Sequence, residues 1–182
     1  MKLKNTAIIY LSLMLSATSL FQAGSVYAET QHIEYYNGDV YDGEVAKDDE
    51  DISTVEYYKH GQGVYTKANG TKIKGKWVDN YLTGKATVIY KDKEKFVGNF
   101  KQDIRSGKGK YYFKNGDVYN GSWKSDLMHG KGTYKFKNKS TISGTWKKGK
   151  LQGKCTFKTK KCIYMVGMKN GKLMKIYSSK RR

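Results

Sequence analysis

The chain has 182 residues, 20 of them glycine and none proline, with 35 Lys and Arg against 16 Asp and Glu for a formal net charge of +19. Two cysteines are too few for a disulfide framework, and with His32, His60 and His129 they offer no zinc-ligand spacing, so no metal or other cofactor is expected. Past the first 28 residues no stretch is apolar for long enough to cross a bilayer as a helix.

In chain order, Lys2 and Lys4 precede an apolar stretch from Ala7 to Phe21, and Val26-Tyr27-Ala28 fits the small-x-small cleavage rule. Residues 1–28 are therefore expected to be a secretory signal peptide cut near Ala28, which makes the mature protein secreted or periplasmic. No cysteine stands at the cleavage point, which argues against a lipid anchor. Export permits a disulfide, but the register below does not set Cys155 opposite Cys162, so two unpaired thiols are expected. The mature chain divides its charge unevenly: residues 29–60 carry a net −8 and residues 61–182 a net +25. A body so basic attracts polyanions and anionic surfaces, and the attraction fades with salt.

Glycine then sets the organisation. Gly75, Gly98, Gly121, Gly144 and Gly167 are 23 residues apart, and Gly84, Gly107, Gly130 and Gly153 keep the same step nine residues later. Trp77, Phe100, Trp123 and Trp146 repeat with them. A fixed period of this length means one small unit copied in tandem. Within a unit, Gly107, Gly109 and Tyr111 alternate with lysines, as Tyr119, Gly121 and Trp123 alternate with polar residues, which is the period of a strand. A three-residue loop, Lys114-Asn115-Gly116, brings the two bulky sets onto one face, pairing Tyr111 with Tyr119, Gly109 with Gly121 and Gly107 with Trp123. Gly107 and Gly109 then leave room for the Trp123 indole. The same rule pairs Tyr134 with Ile142 and Gly132 with Gly144 in the next copy, and Val88 with Phe96 and Ala86 with Gly98 in the previous one.

The predicted fold is all-β: six hairpins, near 31–45, 61–77, 84–100, 107–123, 130–146 and 153–169, in an elongated, twisted, single-layer antiparallel sheet over residues 29–172. Six-residue connections such as Lys124 to His129 are expected between most of them. An insertion at about 46–58 carries the acidic run Asp48-Asp49-Glu50-Asp51. In the last unit Lys169 stands where a Trp is expected and Cys155 replaces a Gly, as in a worn capping repeat. Residues 173–182 are expected to be a basic C-terminal tail, flexible over its last five residues, Ser178-Ser179-Lys180-Arg181-Arg182.

Tyr119-Asn-Gly121-Ser-Trp123 followed by Gly130-Lys-Gly132 resembles the MORN repeat (membrane occupation and recognition nexus), as does Phe96-Val-Gly98-Asn-Phe100 followed by Gly107-Lys-Gly109. Ile73-Lys-Gly75-Lys-Trp77 and Ile142-Ser-Gly144-Thr-Trp146 depart by an Ile, and Tyr41-Asp-Gly43-Glu-Val45 has lost the second aromatic. The bacterial YwqK-like antitoxin repeats, with similar Tyr-Tyr-x-Asn-Gly units, are a near neighbour. The MORN resemblance implies membrane-lipid contact, protein scaffolding or self-association.

No catalytic constellation is legible: there is no Gly-x-Ser-x-Gly, and the glycines follow a structural register. The expected function is a non-enzymatic scaffold binding a partner protein or an anionic envelope component, an acidic lipid or a phosphate polymer. Candidate residues for an anionic-ligand face are Lys72, Lys74, Lys76, Lys95, Lys108, Lys110, Lys131, Lys135 and Lys154, several of which alternate out of the aromatic face. The alternative is homotypic assembly through the aromatic face or open sheet edges. Nucleic acid is a weaker reading, which export disfavours.

Overall fold

The computed structural model describes residues 7–8, 29–48 and 56–182. They form one open antiparallel sheet whose strands follow sequence order. The strands are β1 (Ala7–Ile8), β2 (Glu29–Tyr35), β3 (Val40–Asp48), β4 (Glu56–Thr66), β5 (Lys72–Val78), β6 (Tyr81–Ile89) and β7 (Lys95–Lys101). They continue as β8 (Ile104–Tyr112), β9 (Val118–Lys124), β10 (Leu127–Lys135), β11 (Thr141–Lys147), β12 (Lys150–Lys158), β13 (Cys162–Lys169) and β14 (Lys172–Arg181). From Asp49 to Val55 the acidic insertion lies outside the described residues. Of residues 1–28 only β1 is described, pairing with Tyr35 and Glu34 at one edge of the sheet.

The predicted register is present in the hairpins 61–77, 84–100, 107–123 and 130–146, while the first starts two residues earlier than expected, with Glu29 opposite Val45 and Gln31 opposite Gly43. Tyr111 pairs with Tyr119, Gly109 with Gly121 and Gly107 with Trp123; the neighbouring copies repeat this pairing. The three-residue loop closes as expected: Phe113 N–H donates to the Asp117 carbonyl at 3.0 Å, Gly116 N–H donates to the Phe113 carbonyl at 2.9 Å, and Gly116 has φ +88°. Lys93 and Lys139 hold that left-handed position in their own hairpins, each at φ +70°.

The connections between hairpins are tighter than the expected six residues. Lys124 pairs with Leu127 around a two-residue turn, Ser125-Asp126, at φ +50° and +63°. Two successive positive φ values make a mirror-image turn whose twist matches that of the strands. The ladder then takes a bulge, with His129 opposite Ser122 but Gly132 already opposite Gly121. Gly130, at φ +64°, supplies the left-handed residue of that bulge. This corrects the reading of Gly107, which has the same role at φ +74°: a Cβ there would come no closer than 3.6 Å to another residue. Gly109 is the one that makes room, since its Cβ would stand 2.5 Å from Phe96 and 3.2 Å from Trp123.

One face of the sheet carries the core. Phe96 sits edge-on to Trp123 at 5.2 Å between ring centres, and Tyr119 makes the same contact with Trp146 at 5.2 Å. Each ring of the Tyr119 type thus locks its own hairpin to the next. Tyr41, Phe96 and Tyr119 are fully buried in a single-layer protein because the Gly-x-Gly backbone lies flat beneath them. Each edge-to-face pair adds about 0.5–1.5 kcal/mol to the burial of its rings.

The last hairpin departs from the rule. Gly153 pairs with Met168, not with Lys169, because Thr159 and Cys162 close a loop of two residues, Lys160-Lys161. A one-residue slip moves every side chain to the other face. It sets Val166 and Met168 on the aromatic face, puts Lys169 outside it and takes Gly167 out of the glycine series. Cys155, buried at the position of a glycine, stands opposite Val166, and both cysteines are free thiols. The segment expected as a tail is β14, hydrogen-bonded along β13.

Candidate functional site

The two-residue turns organise the aromatic face. Asn80, Asp103 and Asp126 each send a side-chain oxygen back to a backbone N–H one repeat earlier, on Lys59, Leu82 and Arg105, at 2.9, 2.8 and 3.0 Å. Lys59, Leu82, Arg105, Met128 and Leu151 therefore occupy one repeating position over the core rings. Leu82 and Leu151 are buried there. Met128 takes that place in one further copy, and cations take it in the remaining two. The Lys59 ammonium lies 5.3 Å from the Trp77 ring and 5.0 Å from Tyr65. The Arg105 guanidinium lies 4.6 Å from Trp123 and is paired with Asp126 at 2.9 Å. Burial against these rings lowers the Lys59 pKa, which Asp103 and Asp39 partly offset.

Between the two cations the face opens into a cleft of about 730 Å³. Its floor is Ile73, Trp77, Val88, Tyr90 and Phe100, with Lys59 and Arg105 on its lining. The cleft sits where the period loses bulk: Ile73 replaces the ring found at Phe96 and Tyr119, and Val88 replaces the tyrosine found at Tyr111 and Tyr134. Charge alone did not single out Lys59 or Arg105 among so many cations. The signal was present as a charged residue in a repeating position that is otherwise Leu or Met.

Carboxylates tie the loop ends together. Asp117 accepts from the Tyr134 hydroxyl and the Lys137 N–H, both at 2.8 Å. Glu94 binds Tyr111 and the Lys114 N–H in the same way, and Asp39 binds Tyr65 and the Ala68 N–H. The hydrogen bond from Tyr134 holds Asp117 below the ordinary carboxylate range against the opposing effect of burial. Burial, reinforced by Asp117, raises the Tyr134 hydroxyl well above the ordinary phenol.

The predicted lysines lie on the opposite face. Lys72, Lys74 and Lys76 alternate with Trp77 and Gly75 on β5, across from Thr66, Val64 and Gln62. Lys95 on β7 and Lys110 on β8 flank the Tyr112 ring at 4.9 and 5.9 Å. Lys135 closes β10 opposite Thr141. Lys108, Lys131 and Lys154 line a common groove, about 550 Å³, shared with Asn120, Thr133, Ser143 and Thr156. Lys108 donates to the Ser122 hydroxyl at 3.1 Å.

Fold and faces together define a hairpin-repeat scaffold that stabilises itself one copy against the next. A model of the MORN repeat matches residues 56–72, 96–118, 119–141 and 143–160, and the chain belongs to the MORN repeat family, a non-catalytic repeat scaffold. The unmatched interval 73–95 holds Ile73 and Val88 of the cleft. No curated protein matches the chain. Among solved structures it is similar to the TCP domain of Drosophila melanogaster SAS-4 (dCPAP), in complex with a proline-rich motif of Ana2, at 14% identity and a TM-score of 0.38. That alignment covers 91% of this chain and 99% of the other. It is also similar to the TCP10 domain of Danio rerio CPAP, in complex with a peptide of STIL, at 11% identity and a TM-score of 0.30 over 81% of this chain and 82% of the other.

Proposed function

We propose that the chain is a binding scaffold whose aromatic cleft holds an extended segment of a partner protein, with an apolar side chain on Ile73 and Val88 and carboxylates against Lys59 and Arg105. The observation that carries this reading is the local loss of two core rings beside two cations that replace an apolar residue. A repeat that only needed stability would keep an aromatic ring at both core positions, as the copy with Tyr111 and Tyr119 does, and Leu or Met in place of the cations, as at Leu82, Met128 and Leu151. Panning a displayed peptide library on the chain tests it. Selected peptides are expected to combine an acidic residue with Leu, Ile or Phe, and to lose binding to Val88→Tyr, which refills the cleft. Peptides without that pattern, or indifferent to Val88→Tyr, overturn it.

A second reading rests on the groove of Lys108, Lys131 and Lys154. After export and cleavage near Ala28, this face contacts an anionic envelope component through lysines interleaved with hydroxyls. Vesicles of acidic phospholipid, but not neutral ones, are expected to sediment the chain, and K108E/K131E/K154E to abolish this. Equal behaviour on both vesicle types removes the reading. Amino-terminal sequencing of protein from an exporting host checks the cleavage.

A further inference from the structure

The two ends of the sheet differ in charge. At one end the face opposite the aromatic core carries exposed Glu34 and Asp42 around the His32 ring, with Glu44 next along β3. At the other end the same face of β14 carries Lys172, Lys175 and Lys180, all exposed. The aromatic face is continuous with apolar residues at both ends, Ile33 and Tyr35 on β2 and Leu173 and Ile176 on β14. Leu173 and Ile176 are 57% and 55% exposed, although they prolong a face that is buried elsewhere. Among the described residues, the outer side of β14 is unpaired, and β1 covers only Glu34 and Tyr35 of β2.

We propose that the chain associates head to tail with a second copy of itself, β14 of one pairing with β2 of the next. An open strand edge is a template for another strand. Two β14 edges brought together would set lysine against lysine, and two β2 edges acid against acid. The unlike pair instead matches basic to acidic on one face and apolar to apolar on the other. Every neighbouring pair from β2 to β14 is antiparallel, an even number of steps, so the two end strands run in the same direction. Extending the sheet with its faces kept continuous therefore pairs β14 with β2 in parallel. A heterologous contact of this kind does not close on two copies and builds an open, twisted array. One parallel strand pair is a small interface, so the association is reversible and weakens with salt.

Sedimentation velocity across a concentration series tests this, with a charge swap. The purified chain is expected to form larger species as concentration rises, and fewer of them at high salt. K172E/K175E/K180E makes both ends acidic, and E34K/D42K makes both ends basic. Each is expected to lower assembly on the order of tenfold. Mixing the two restores it, because each copy then meets an end of opposite charge. A chain that stays monomeric throughout overturns the proposal. So does assembly that survives both reversals, which would place the contact on another surface, or a mixture no more assembled than its parts. Trp fluorescence identical to that of the unaltered chain shows each variant folded, and none of the altered residues lines the cleft.

Discussion

The carboxylate of Asp117 spans two repeats by accepting the Tyr134 hydroxyl at 2.8 Å while its other oxygen holds the Lys137 N–H of the next loop. The repeat keeps this pairing as a unit. Glu94 accompanies Tyr111 and Asp39 accompanies Tyr65, whereas the copies with Thr71 and Ser140 at the position of the acid have Val88 and Phe157 at the position of the tyrosine, with no hydroxyl to donate. Acid and phenol are kept or lost together because either one alone would sit half-buried without a partner.

Tyr134→Phe is expected to cost about 1–2 kcal/mol, measured by urea unfolding at neutral pH. The acid limb follows from the lowered Asp117 pKa. The folded carboxyl ionises below its unfolded value, so its contribution is complete above about pH 5 and is lost as pH falls through the folded value. Asp117→Asn should flatten that limb. An unchanged slope between neutral and acid pH would deny the linkage.

The two glycine roles separate by substitution. Gly84 has φ +74°, and a methyl group added there would meet nothing within 4 Å, so Gly84→Ala is expected to cost only the left-handed backbone, about 1 kcal/mol. At Gly109 the added carbon meets Phe96 at 2.5 Å, and Gly109→Ala is expected to cost about 3 kcal/mol. Equal costs at the two sites would mean that ring and backbone do not share this surface as described.

Lys93 and Lys139 hold a left-handed conformation at φ +70° that Gly116 and Gly70 adopt freely. Lys93→Gly and Lys139→Gly are each expected to stabilise by about 0.5 kcal/mol, the strain relieved less the added chain entropy. Thermal melts of the single and double variants check this, and the gains should add because the two loops are far apart.

The slipped last hairpin gives an optical test. Met168→Trp places an indole on the aromatic face opposite Gly153, whereas Lys169→Trp places it outside, where Lys169 is exposed. Emission to the blue is expected for the first and to the red for the second. The reverse would restore the three-residue loop.

This slip also shows what the residues announced and what they did not. The period and the alternation around Tyr111 and Tyr119 determine a register, since a three-residue loop puts the bulky sets on one face where a two-residue loop would not. In the last copy Val166 and Met168 compete with Gly167 and Lys169 for that face, and the apolar pair wins by shortening the loop. The bulge glycines were visible as a series, but spacing alone does not tell a glycine needed for its φ from one needed for its missing side chain. Arg105 was hidden for a related reason: its meaning comes from the repeating place it holds over Trp123.

Arg105→Leu gives that place the residue found at Leu82 and Leu151. Asp126 keeps its bond to the backbone N–H, and the apolar side chain covers Trp123 as the guanidinium did. Stability is expected to move by no more than about 1 kcal/mol, because an exposed ion pair and a cation–π contact are exchanged for apolar cover. Affinity for an acidic peptide selected on the unaltered chain should fall about tenfold or more, as a charge-assisted contact is lost. Calorimetric titration alongside urea unfolding reads both. Lost stability with unchanged affinity would make Arg105 a structural cap and remove the cation from the binding surface.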